Sequence, residues 1–125
     1  MPEVIFPGPE GRLEGRYQRG AGENPPVALI LHAHPLFGGT MNNRAVYELY
    51  NMFLRRGFSV LRFNFRGVGR SVGEYDQGQG ELADAATALD YLQQLNPNAP
   101  FAWVGGFSFG AWIGMQLLMR RPEIT

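Results

Sequence analysis

Apolar residues follow two rhythms along this chain, continuous runs and helical spacing. Val27-Ala28-Leu29-Ile30-Leu31 is unbroken by any polar residue, the mark of a strand buried on both faces. Ser59 to Phe65 and Phe101 to Val104 read as further strands, the latter launched by Pro100. Between them, Val46, Leu49, Tyr50, Phe53 and Leu54 fall at i, i+3, i+4, i+7 and i+8, which predicts an amphipathic helix. Asn42 or Asn43 can cap it, and Gly57 ends it. Leu82, Ala85, Ala86, Leu89 and Leu92 mark a second helix that stops near Asn96-Pro97. Ala111 to Met119 predicts a third, closed by Arg120, Arg121 and Pro122. At the front, Val4 to Phe6 and Leu13 to Gln18 flank Pro7-Gly8-Pro9 and read as an edge hairpin, followed by a loop from Gly20 to Pro26.

The order is a β-hairpin followed by β-α-β-α-β-α, without internal repeats. Such alternation predicts an α/β fold: a mostly parallel sheet with right-handed crossovers and helices on both faces. Residues 1–125 form one domain at most. Phe101 to Met119 carries no charge, and Gly106, Gly110 and Gly114 repeat a small-residue spacing found in packed membrane helices. Pro100, the glycines and Ser108 divide that stretch into a strand and a helix, so we read it as buried α/β core rather than a span.

Composition narrows the chemistry. Hydrophobic residues make up 45% and charged residues 18%, ordinary for a folded soluble protein. Eleven basic and eleven acidic residues balance, so no net field favours nucleic acid or an anionic membrane as a partner. Every basic residue is arginine, which excludes a Walker A lysine, a Schiff-base lysine and a Ser-Lys dyad. Without cysteine there is no disulfide, thiol nucleophile or cysteine-held metal. Met1-Pro2-Glu3-Val4 lacks the basic region and long apolar stretch of a secretory signal, and the expected location is cytoplasmic.

Candidate chemistry gathers where strands end. Gly106-Phe107-Ser108-Phe109-Gly110 matches G-x-S-x-G between a strand and a helix, the turn that presents a serine nucleophile. Side chains at Gly106 and Gly110 would collide across that turn. The helix beginning there would aim free N–H groups and its positive end at a developing oxyanion. A plain Gly/Ser turn without chemistry is the alternative. The strand Val27–Leu31 runs into a loop from His32 to Asn43, and Ser59–Phe65 runs into a second, Arg66 to Ser71, at the same sheet edge. Gly67-x-Gly69 lacks the third glycine of a dinucleotide fingerprint and reads as a tight turn. Arg66 and Arg70 read as solvated, with contact to an anionic substrate as the alternative. Glu74, Asp76 and Glu81 read as a solvated loop and helix start, with metal binding or acid–base work as the alternative. Phe37, Met41, Tyr75, Phe107, Phe109 and Trp112 read as core, or else as walls of an acyl pocket.

Taken together, His-Ala-His-Pro-Leu-Phe-Gly-Gly, Phe-Asn-Phe-Arg-Gly-Val-Gly-Arg-Ser, the Asp84-to-Leu92 helix and Gly-Phe-Ser-Phe-Gly resemble the α/β-hydrolase superfamily. The closest resemblance is to its small bacterial esterase-like and dienelactone-hydrolase-like members, and it covers nearly all of the chain. It implies a serine hydrolase acting on an ester or related acyl bond, with Ser108 as nucleophile and no cofactor or metal. The substrate implied is a small acyl compound. The Phe109 N–H would be one oxyanion donor. The second would come from the loop after Leu31; Pro35 has no N–H, leaving Leu36 as first choice and His34 as second.

In that superfamily an acid and then a histidine follow the serine. The residues after Ser108 contain Glu123 but no histidine, so the resemblance implies a domain incomplete at its C-terminus, lacking the triad acid and base. His32 and His34 both precede the serine, on the side that orients loop and substrate, with the general-base role as the alternative. A reading of a different class remains: a non-catalytic α/β module that binds a partner chain, a second copy included, through an exposed sheet edge.

Overall fold

A computed structural model describes residues 3–124. Glu3–Gly8 (β1) and Gly11–Gln18 (β2) form the expected hairpin, and β2 continues the sheet by pairing antiparallel with Ser59–Phe63 (β4). Val27–Leu31 (β3) pairs in parallel with β4 on one side and with Ala102–Gly106 (β5) on the other. The order is therefore β1-β2-β4-β3-β5, with the unbroken apolar run Val27–Leu31 between two neighbours. All five β3 residues are buried, as that run predicted.

Alternation along β3 divides the core between the two faces of the sheet. Leu29 and Leu31 join Leu61 and Phe63 of β4 on the face covered by Gln79–Leu95 (α2) and Phe109–Arg120 (α3), through Leu89, Leu92, Ile113 and Leu117. Ala28, Ile30 and Val60 face Val46, Tyr50 and Phe53 of Arg44–Arg55 (α1). Period-two strands thus meet period-3.6 helices on both sides. Gly57 follows α1 with φ 86°, the left-handed stop its position demanded.

β4 ends two residues earlier than its apolar run suggests, and Asn64, the next residue, sits in a buried polar network. Its N–H donates to the Glu14 carbonyl (3.0 Å) and its amide group to Glu14 Oε1 (2.8 Å). Its Oδ1 accepts from the Met41 N–H at 2.8 Å, and its carbonyl accepts from Ser71 Oγ at 2.7 Å. The hairpin, the loop after β4 and the loop after β3 are tied at one residue.

Arg66 is buried rather than solvated. Its guanidinium reaches both Asp84 oxygens at 2.9 and 3.1 Å, and its N–H makes a third bond to Asp84 at 3.0 Å. Asp84 lies eighteen residues on, in α2, beyond the reach of any local pattern. Burial pushes the Asp84 carboxyl up, and the Arg66 hydrogen bonds oppose that shift. Glu81, also buried, caps the start of α2 by accepting from the N–H groups of Gly78 (2.8 Å) and Asp76 (2.9 Å).

β5 lies at the sheet edge, and among the described residues its outer side carries a parallel bridge from Ala102 to Ile124. Beside it an apolar groove of about 560 Å³ is lined by Trp103, Val104, Met115 and Leu118, among others. Among the described residues no helix is long and apolar enough to cross a membrane, and the stretch with small-residue spacing is divided between β5 and α3.

Candidate active site at the carboxyl ends of β3 and β5

Ser108 occupies the turn between β5 and α3 with φ 53° and ψ −110°, one of two non-glycine residues with positive φ among those described. Such a conformation costs about 1–3 kcal/mol and persists only where the surroundings impose it. Two glycines do so. A Cβ on Gly106 would stand 2.6 Å from the Gly110 carbonyl carbon, and one on Gly110 would stand 2.6 Å from the His32 carbonyl oxygen. The first contact closes the turn on itself; the second presses it against the end of β3. Ser108 is exposed, and its side chain makes no capping bond to α3.

That second contact joins the Ser108 turn to the loop after β3. His32 is fully buried at the root of this loop. Its Nδ1–H donates to the Ala33 carbonyl (2.7 Å), and Nε2 accepts the Phe65 N–H (3.1 Å), so both ring nitrogens are engaged. Burial lowers its pKa from 6.5 to about 4, against the opposing bond to Ala33. His32 is a neutral tie between the two loops, with no nitrogen left to take a proton from a hydroxyl.

His34 caps a 3-10 turn, Pro35–Phe37, by accepting the Leu36 N–H on Nδ1 at 3.1 Å. That bond places the ring proton on Nε2, which donates to the Tyr75 hydroxyl at 3.2 Å. The ring lies 5.0 Å from those of both Tyr75 and Phe109. The N–H groups of Phe37 (3.1 Å) and Gly39 (3.0 Å) turn inward to the His34 carbonyl. Among the described residues, the backbone N–H groups of His34 and Phe109 have no hydrogen-bond partner. The Leu36 N–H is thus occupied, whereas the His34 N–H is free.

The large apolar residues separate by role. Met41 and Phe109 are core. Phe37 is 83% exposed and Trp112 51%, while Tyr75 and Phe107 are half-buried near the Ser108 turn. Glu74 and Asp76 are exposed, Glu81 is spent on its cap, and no cluster of metal-ligating side chains occurs among the described residues. The Gly67–Gly69 segment is a turn, with φ 77° and 54° at its two glycines.

A strained serine between strand and helix, beside a loop from the neighbouring parallel strand, is the architecture of the alpha/beta hydrolase fold. The family model of that name matches residues 28–124, and the chain belongs to this family. A Rickettsia prowazekii protein of uncharacterised function is 59% identical over 125 residues, 100% of this chain and 52% of its own length. An Agrobacterium tumefaciens crystal structure, of a protein of unknown function assigned to the alpha/beta hydrolases, superposes with a TM-score of 0.96 at 66% identity, over 98% of this chain and 56% of that one. An alpha-beta serine hydrolase homologue from Coxiella burnetii gives 0.90 at 38% identity, over 96% and 58% respectively. The chain spans about half the length of each of these relatives.

Proposed function

We propose that this chain carries the nucleophile-bearing half of a serine hydrolase acting on an ester or related acyl bond. The observation that carries this reading is Ser108, exposed at φ 53° with Gly106 and Gly110 closing the turn beneath it. Ser108 Oγ attacks the acyl carbonyl, and the oxyanion rests on the N–H of Phe109 and on a donor from the loop after β3. The free N–H of His34 supports it over Leu36 as that donor. The alcohol leaves, and water then releases the acyl group. The proton of Ser108 goes to a base outside this chain, since His32 has both nitrogens engaged and His34 holds Leu36 and Tyr75. No metal or cofactor takes part in this scheme.

The test is made on the full-length protein carrying this sequence. A fluorophosphonate probe should label Ser108, and hydrolysis of short p-nitrophenyl esters should vanish in Ser108→Ala. Turnover that survives Ser108→Ala would overturn the reading. Residues 1–125 alone should show little or no turnover, because loss of a triad member forfeits most of the acceleration. A second reading, association through the edge of β5, is favoured by the apolar groove between Trp103 and Leu118. It predicts partner binding that Ser108→Ala leaves intact.

A further inference from the structure

We propose that the His34 imidazole is a positioning residue for oxyanion binding: it braces the loop after β3 so that the backbone N–H of His34 faces the Ser108 turn. The proposal rests on the serine-hydrolase reading and adds a side chain to it.

The brace has two ends. At Nδ1 the ring accepts the Leu36 N–H, a bond from residue i to the amide of i+2. This is the geometry an asparagine or aspartate makes at a turn, with imidazole nitrogen in place of carboxamide oxygen. Pro35 follows directly, fixing φ and removing the intervening donor. At Nε2 the ring is held by Tyr75, which comes from the loop preceding α2. A turn capped only from within would be free to swing, whereas one anchored to a second loop is not.

The ring also touches the other proposed donor's residue. It lies 5.0 Å from the Phe109 ring, and the Phe109 N–H opens α3 beside Ser108. One side chain therefore sets the spacing between the loop and the start of α3. The turn gains rigidity at a point where 3-10 geometry alone is weak. It also withdraws the Leu36 amide from competition for the carbonyl oxygen. Misplacing a preorganised donor by about 1 Å is enough to cost about 100-fold in rate.

The experiment compares His34→Ala, His34→Asn and Tyr75→Phe in the full-length protein, by ester kinetics and by amide hydrogen exchange. His34→Ala should lower kcat roughly 10- to 100-fold with KM changed less than about threefold. Exchange at the Leu36 amide should quicken by more than about tenfold. His34→Asn should restore most of both losses, because its Oδ1 can accept the same N–H. If His34→Ala does not fold, Tyr75→Phe, which frees only the Nε2 end, should still lower kcat several-fold.

The proposal is overturned by a His34→Ala kcat within about twofold of the parent, by a His34→Asn as impaired as His34→Ala, or by unaltered exchange at Leu36. If His34→Ala does not fold, an unchanged kcat in Tyr75→Phe overturns it. Ester hydrolysis that survives Ser108→Ala sinks the serine-hydrolase reading instead. The exchange of Leu36 then still decides whether the imidazole holds the loop.

Discussion

A Cβ on Gly110 would stand 2.6 Å from the carbonyl oxygen of His32, closer than a Cβ approaches any such atom in folded proteins. The first turn of α3 is therefore pressed onto the end of β3 with no room for a methyl group. Gly110→Ala must push these two segments apart or unwind the turn. We expect a loss of stability above about 2 kcal/mol, read by urea denaturation, together with loss of probe labelling at Ser108. Ala111→Ser, one residue on and facing solvent, should do neither.

Arg66 and Asp84 form a buried pair with three bonds between them. Removing one partner strands the other charge in the core. Arg66→Ala or Asp84→Ala should each destabilise the fold by about 3–5 kcal/mol in denaturant titrations. The double variant Arg66→Met, Asp84→Leu should recover a large part of that, since no unpaired charge remains.

His32 is neutral in the folded protein and titrates at about 4, against 6.5 for an unperturbed imidazole. Between these values the unfolded chain binds the proton and the folded one does not, so stability rises with pH across this window. The contribution is complete above about pH 6.5 and is lost as pH falls towards 4, up to about 3 kcal/mol in all. Urea midpoints at pH 7 and pH 5 should differ accordingly. The NMR titration of the His32 ring should have its midpoint near 4.

Trp103, Met115, Leu118 and Met119 are 44%, 67%, 48% and 84% exposed along β5 and α3, beside an edge strand. Residues 1–125 expressed alone should therefore associate into dimers or larger species and bind an apolar dye. Met115→Lys with Leu118→Glu should shift the population towards monomer in light scattering. A monodisperse parent chain with a sharp melt would refute this.

Much of the fold was legible because its signals are local. The run Val27–Leu31, the spacing from Val46 to Leu54 and the glycines around Ser108 each declare an element without reference to the rest of the chain. What escaped depends on partners far away in sequence. Arg66 reads as a solvated loop residue until Asp84 is brought against it. Glu81 reads as a solvated residue at a helix start until the amides of Asp76 and Gly78 close on it and bury it. Within the site, Leu36 reads as the first choice of donor, and nothing in a sequence reveals that the His34 imidazole accepts its amide. Phe37 and Trp112 were expected in the core, yet they are exposed; hydrophobicity identifies apolar side chains without saying which are covered.

The β5 ladder joins Val27–Leu31 to Ala102–Gly106 across more than seventy residues, and among the described residues its outer side carries the Ile124 bridge. β5 is thus an edge strand closed by long-range contacts, while the hairpin, β4 and the loop after β3 are laced by Asn64. Detachment of β5 would relax Ser108 from its strained φ and separate its turn from the loop after β3 without unfolding the remaining sheet. If Ser108 is the proposed nucleophile, heat or denaturant should then abolish its probe labelling at a milder dose than the one that erases the circular dichroism of the fold.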